Sequence, residues 1–151
     1  MSELSYTLRA YVAADEDAAI ELWRRTWQQH YPRIDFTARV AWWRERWRNE
    51  LLPSATIVVA ERDGALVGFV TVDQKTRYLD QIVVAPEAWG SGTAEELIAA
   101  ARLISPQGLD LQVNQDNARA IRFYEKQGFA ITGHDMNESS GAPLYTMSWR
   151  P

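Results

Sequence analysis

The chain has 151 residues, 46% hydrophobic and 24% charged, with 16 basic against 20 acidic side chains and a formal net charge of −4. That size and balance point to one globular domain over residues 1–151, able to bury roughly two-thirds of its unfolded surface, and argue against a disordered chain or a strongly basic nucleic-acid binder. With no cysteine there is no disulfide, thiolate metal site or cysteine nucleophile. His30 and His134 stand too far apart in sequence to suggest a catalytic zinc, so no metal is expected. No apolar run approaches the ~20 residues of a membrane span, and no signal-peptide core is present, so the expectation is a cytoplasmic protein with no membrane partner.

In chain order, a short strand over Tyr6–Val12 precedes a helix from about Asp15 to Gln29, with Ala18, Ala19, Leu22, Trp23, Thr26 and Trp27 on its apolar side. Tyr31-Pro32 ends it. A second helix runs from about Phe36 or Thr37 to Leu51, carrying Val40, Trp43 and Trp47 at helical spacing, with Pro53 beyond. Ile57–Glu61 and Ala65–Val72 form a hairpin about Arg62-Asp63-Gly64. Tyr78–Val84 is a third apolar strand, in which strict alternation sets Tyr78, Asp80, Ile82 and Val84 on one face. A helix from Gly92 to about Ser105 follows, broken by Pro106 and Gly108. Leu109–Val113 is a strand, Asn117–Gln127 a helix, Ala130–Gly133 a strand, 135–143 an exposed polar loop, and Leu144–Trp149 the last strand. The strand–helix–strand–helix run over 78–127 calls for a parallel pair at the centre of an otherwise antiparallel sheet with helices on both faces.

The most informative stretch is Ile82–Ala94, where an apolar strand breaks at Pro86, passes Gly90 and Gly92, and opens a helix. This order points free backbone N–H groups of a helix N-terminus toward a place where an anion can sit, and the glycines allow close approach. Neither the phosphate-loop pattern nor a dinucleotide fingerprint is completed, so the ligand carries phosphate but is not ATP or NAD. Some twenty residues on, Asn114–Phe129 holds a second pattern. Asp116 or Asn117 can cap a helix, Gly128 can end it, and Ala120, Phe123, Tyr124 and Gln127 share one stripe.

Together these segments resemble the GCN5-related N-acetyltransferase family. Trp89, Gly92 and Ala94 occupy the three marked places of its acetyl-coenzyme A motif, Arg/Gln-x-x-Gly-x-Gly/Ala. Asn117, Ala120, Phe123, Tyr124, Gly128 and Phe129 match its Asn-x-x-Ala-x-x-Phe-Tyr-x-x-x-Gly-Phe segment. The likeness is good over residues 55–150 and only in outline before them. Trp89 departs from it, standing where the family carries Arg or Gln. The resemblance implies a mixed α/β fold in which two central parallel strands, here Tyr78–Val84 and Leu109–Val113, splay apart around the pantetheine arm of acetyl-coenzyme A.

It further implies that the coenzyme is held by the loop Trp89, Gly90, Ser91, Gly92, Thr93 and Ala94, and by backbone N–H groups around Val83 and Val84. Asn114 and Asn117 are each candidates to hydrogen-bond it, although capping explains Asn117 equally well. Tyr124 is the candidate general acid toward the departing thiolate, and Asp80 the candidate base, acting directly or through water. By the same resemblance the first two helices form the acceptor side, with Trp27, Tyr31, Tyr78 and Asp80 as acceptor-binding residues and His30 and Trp43 as further wall candidates. Residues 21–50 hold seven arginines against four carboxylates, a local excess of +3 that tilts the expected acceptor toward a carboxylate or phosphate bearer. The function so implied is acetyl transfer from acetyl-coenzyme A to a primary amine of a small molecule or peptide by direct attack. The alternative is a catalytically idle acyl-coenzyme A-binding sensor or regulatory module, and a third reading, a nucleic-acid partner for the Arg/Trp helices, fits the mild basic excess poorly. The sequence leaves a homodimer open.

Overall fold

Turn chemistry sets the first strands. Asp63 and Gly64 both take positive φ, 53° and 79°, as a two-residue type I′ hairpin requires. They join β2 (Thr56–Arg62) to β3 (Ala65–Asp73), with β1 (Thr7–Ala10) along the other side of β2. The computed structural model describes residues 6–138 and 140–151; residues 1–5 and 139, part of the expected range 1–151, lie outside the described residues. Four more strands follow: β4 (Tyr78–Val84), β5 (Leu109–Asn114), β6 (Ala130–Met136) and β7 (Pro143–Trp149). They complete one sheet in the order β1-β2-β3-β4-β5-β7-β6, antiparallel throughout except between β4 and β5.

Among the described residues, four helices cover the sheet: α1 (Glu16–His30), α2 (Val40–Arg46), α3 (Thr93–Ile104) and α4 (Ala118–Lys126). The expected helix to Leu51 is less regular than its apolar spacing suggested. It opens with a tight turn at Thr37–Arg39, widens to a π turn at Trp47–Leu51 and ends in a last turn, Leu52–Ser54. Pro53 does not stop the chain where expected, because Ser54 Oγ donates to the Glu50 carbonyl and Ala55 N–H to that of Leu51. The widened turn keeps both Trp47 and Leu51 buried.

Two contacts assign the faces of the sheet. Phe69 of β3 meets Trp47 edge-on at 5.3 Å, so its side faces α2. A Cβ on neighbouring Gly68 would meet Leu97 Cδ1 of α3 and the Val83 carbonyl, each at 3.0 Å, so the opposite side faces α3 and only glycine lets that helix come so close. On the α2 side an aromatic core runs through Trp23 stacked on Trp43 (centroids 4.6 Å, 7° between planes), then Trp47, whose Nε1–H donates to Tyr11 Oη at 3.1 Å. Trp43 is therefore core, not a pocket wall.

The sequence-derived strands needed two corrections. Thr71 pairs with Gln81 but Val72 with Leu79, so Asp80 is the extra residue of a β-bulge. The bulge breaks the expected alternation: Tyr78 and Asp80 fall on the α2 side, while Ile82 and Val84 fall on the α3 side. At the other edge, His134, Asp135 and Met136 pair with Tyr145, Leu144 and Pro143, so strand pairing overrides local polarity and the expected loop shortens.

Ion pairs tie α1 to α2. Glu16 accepts from Arg48 at 2.6 and 2.8 Å and from Arg44 at 2.7 Å, and these cations, Arg48 foremost, lower its carboxyl to about 2. A depressed carboxyl contributes stability in full above its unfolded value near ~4.3, and that contribution fades as pH falls toward the folded value. Glu16→Gln is therefore expected to lower the denaturation midpoint at pH 7 and to flatten the loss of stability between about pH 4.5 and pH 2. Urea titrations of both proteins across that range check it.

Candidate active site

The sheet opens where its single parallel pair fails to stay together. Tyr78 pairs with Asp110, and Asp110 N–H donates to the Arg77 carbonyl at 2.9 Å, but no later residues of β4 and β5 are in register. Ala85 N–H donates to the Val67 carbonyl, so by antiparallel alternation Val83 also turns its N–H to β3, while those of Ile82 and Val84 face the opening. Of the two valines expected to offer backbone amides, Val84 is the one placed to do so; the Val83 side chain is core.

The glycine loop delivers α3 to the end of β4. Gly90 and Gly92 take φ of 77° and 91°, and a Cβ at Gly90 would meet nothing within 4 Å. Ser91 Oγ donates to the Ala88 carbonyl and lies 2.8 Å from Thr93 Oγ1, so these hydroxyls brace the loop. Among the described residues, the amides of Gly90, Gly92, Ala94 and Glu95 have no protein acceptor, and no side chain caps α3. Unpaired donors, exposed glycine backbone and a helix N-terminus form a cradle that fits the diphosphate of coenzyme A, and the opening beside it fits an extended arm.

Trp89 is held in this loop by its Nε1–H, which donates to the Val84 carbonyl at 2.8 Å. Its ring meets His30 at 5.2 Å and the Arg119 guanidinium at 4.4 Å. Burial first, and then the Arg119 charge, push the His30 imidazole below its ordinary value. Asn117 acts as the cap of α4, its Oδ1 accepting from Ala120 N–H at 3.2 Å. Asn114 is engaged too: its Nδ2–H donates to Tyr31 Oη at 2.9 Å, bridging the end of β5 to the end of α1. Trp27 stacks on Tyr31, centroids 5.8 Å apart.

Tyr124 sits half-buried on α4 between Phe123 and Phe129, its hydroxyl without a protein partner among the described residues. Burial, reinforced by the Tyr78 phenol, raises its pKa far above that of a free tyrosine. Tyr78 is itself pushed up to about 12, mainly by burial and then by Asp80.

Tyr78 and Asp80 line a hollow of about 190 Å³ together with Arg46, Glu50, Leu51 and Asp73. Asp80 accepts from Arg46 at 2.5 and 2.9 Å, a bidentate pair that occupies both carboxylate oxygens. Sequence reading missed Arg46, Glu50 and Asp73 here, since nothing distinguished Arg46 from six nearby arginines. The expected basic excess is also consumed: Arg25 pairs with Glu87, Arg44 and Arg48 with Glu16, Arg46 with Asp80, all carboxylates from outside residues 21–50. The candidate residues thus group as the loop with Val84, joined through His30 to Trp27, Tyr31 and Asn114; Tyr78 with Asp80; and Asn117 and Tyr124 on α4.

The fold as a whole is that of solved N-acetyltransferases. The PaiA N-acetyltransferase of Thermoplasma acidophilum, in complex with coenzyme A, matches with a TM-score of 0.80 over 97% of this chain and 99% of that one, at 19% identity. The solution structure of apo-form YjaB from Escherichia coli matches with 0.77 over 96% and 97%, at 22% identity. The chain belongs to the acetyltransferase (GNAT) family, whose model matches residues 12–129, well into the N-terminal part where the sequence likeness was only an outline. It is 33% identical over 135 residues to the peptidyl-lysine N-acetyltransferase YiaC of Escherichia coli K12, covering 87% of this chain and 88% of that protein. It is 30% identical over 125 residues to the peptidyl-lysine N-acetyltransferase YjaB of Salmonella typhimurium LT2, covering 82% and 83%. The cofactor is acetyl-coenzyme A, and the mixed-sheet expectation is borne out.

Replacing Gly92 separates strain from charge. Gly92→Ala should cost about 1–3 kcal/mol of stability through its positive φ, whereas Gly92→Glu should in addition weaken coenzyme A binding on the order of tenfold or more. Calorimetric affinities of the two variants check the difference.

Proposed function

We propose that this protein is a single-domain, cytoplasmic enzyme that acetylates a cationic primary amine, with a lysine side chain in a peptide as the acceptor class. The observation that carries this reading is the hollow at the Tyr78 end of β4, lined by Glu50, Asp73 and Asp80 with a single arginine, Arg46, that already pairs with Asp80 and Glu50. An ammonium group is drawn to such a site, whereas a carboxylate or phosphate is repelled by it. The names of the relatives agree with it. The consumed arginines support a reading without a nucleic-acid partner.

The coenzyme supplies the acetyl group as a thioester, an electrophile an amine can attack without a covalent enzyme intermediate. The residues of the chain do the rest. The loop 89–94 and Val84 hold the coenzyme by backbone N–H groups. A lysine amine is neutral at pH 7 only at a cost of about 4–5 kcal/mol. Asp80 has both oxygens on Arg46, so it takes the ammonium proton through a water, with Arg46 as the residue that positions it. As the new C–N bond forms and the C–S bond breaks, Tyr124 Oη gives its proton to the departing sulfur. Burial keeps that phenol protonated across the working range of pH. Trp27 and Tyr31 line the acceptor's approach from α1. The second reading, a coenzyme-binding module without turnover, is favoured by the closed Arg46–Asp80 pair.

Turnover against a panel of lysine peptides, polyamines and free amino acids decides between them. Under the enzyme reading, Asp73→Asn raises KM for lysine peptides several-fold while the affinity for coenzyme A is unchanged; equal KM for acidic and basic peptides would remove the peptide-lysine assignment.

Tyr124→Phe keeps the ring and removes only the hydroxyl. It should lower kcat on the order of 10²-fold with little change in coenzyme affinity, and a thioester with a more acidic thiol should recover part of the loss. Wild-type turnover where chemistry is limiting would make Tyr124 a packing residue.

A further inference from the structure

The family motif carries Arg or Gln at the position of Trp89, and no cation stands in the loop 89–94 of this chain. A cation is present on the neighbouring helix instead. Arg119, the second residue of α4, holds its guanidinium carbon 4.4 Å from the centre of the Trp89 ring. Both ends of this contact are anchored. The indole is tied to Val84 through its N–H, and the first turn of α4 is set by the Asn117 cap. Arg119 is exposed and makes no ion pair among the described residues, whereas Arg9, Arg25, Arg44, Arg46 and Arg48 each do. Its charge also reaches His30, across the same ring.

The geometry of a stacked guanidinium matters here. An indole covers one face of the plane and leaves the N–H groups around its edge free, so stacking and a two-pronged bond to phosphate are compatible. Lysine offers no such division between face and edge.

We infer that Arg119, carried on the Trp89 indole, is the phosphate-binding cation of the coenzyme site, supplying from α4 the positive charge that an arginine at the loop position would carry. This rests on the reading of residues 89–94 as the coenzyme loop. The shared chemistry is a phosphate of coenzyme A, and two are in question: the diphosphate and the 3′-phosphate.

Calorimetry with coenzyme A tests it. Arg119→Gln should weaken binding on the order of tenfold or more, as expected for a lost charge-assisted bond, and Arg119→Lys should recover only part. Lys75→Gln, an exposed cation on the turn between β3 and β4, should bind as the parent protein does. Trp89→Arg added to Arg119→Gln should regain affinity; a double variant no tighter than Arg119→Gln overturns the exchange of charge between the two positions. Dephospho-coenzyme A, without the 3′-phosphate, assigns the partner. The same loss with it places Arg119 on the diphosphate, and disappearance of the loss places it on the 3′-phosphate. If Arg119→Gln binds like the parent while Gly92→Glu does not, the loop reading stands and the Arg119 assignment fails. If neither variant weakens binding, the loop reading fails with it.

Discussion

The separation of β4 from β5 after Tyr78 and Asp110 is the constraint on which the site depends. Backbone N–H groups are obligatory donors, and a sheet that parts at its centre leaves a row of them facing each other across a gap. In an edge strand water would satisfy them at no loss. Here the gap lies between two covered strands, with Val84 and Val113 buried on either side. The protein thus retains a slot walled by backbone groups that make no bond to the neighbouring strand. The glycine loop belongs to the same logic, because it brings more free amides to the mouth of that slot. A binding site made of backbone tolerates changes in side chains. That is why Trp89 can occupy a place usually given to Arg or Gln without removing the cradle.

The second organising feature is the β-bulge at Asp80. A regular strand would aim this carboxylate at the α3 side, next to Ile82 and Val84. One extra residue turns it instead toward α2, where Arg46 meets it bidentately. The same insertion sets Tyr78 and Asp80 together in one hollow. A one-residue irregularity thereby separates the Tyr78–Asp80 pair from the apolar face that holds α3.

Much of the fold was legible in the sequence, and the reasons are local. Asp63-Gly64 names its own turn, and the helix over 93–104 follows from apolar spacing behind glycines. The loop 89–94 was readable because strand, glycines and helix follow one another in sequence. What was not legible depends on distant partners. The bulge at Asp80 is visible only in register with Thr71 and Val72. The +3 of residues 21–50 was a true count with a false implication, because Glu16, Asp80 and Glu87 arrive from elsewhere in the chain. Trp43 was no better resolved, since a stripe of aromatics looks the same whether it lines a pocket or stacks on Trp23. Pairing beats pattern in each of these cases.

Under the proposed function, the raised phenol of Tyr124 constrains how the leaving group can depart. Burial opposes a free phenolate at Tyr124, as it would oppose a free thiolate beside it under that function. A proton passed fully from oxygen to sulfur before the C–S bond weakens would therefore be uphill, because an ordinary thiol is more acidic than this phenol. The transfer becomes favourable only as negative charge accumulates on sulfur, so bond breaking and proton transfer advance together. Under the proposed function Tyr124 is, early in the reaction, a hydrogen-bond donor aimed at charge that has yet to form, the condition under which a preorganised donor lowers a barrier most. Its lack of a protein partner is consistent with that role: a hydroxyl already engaged would have to break one bond to make the other.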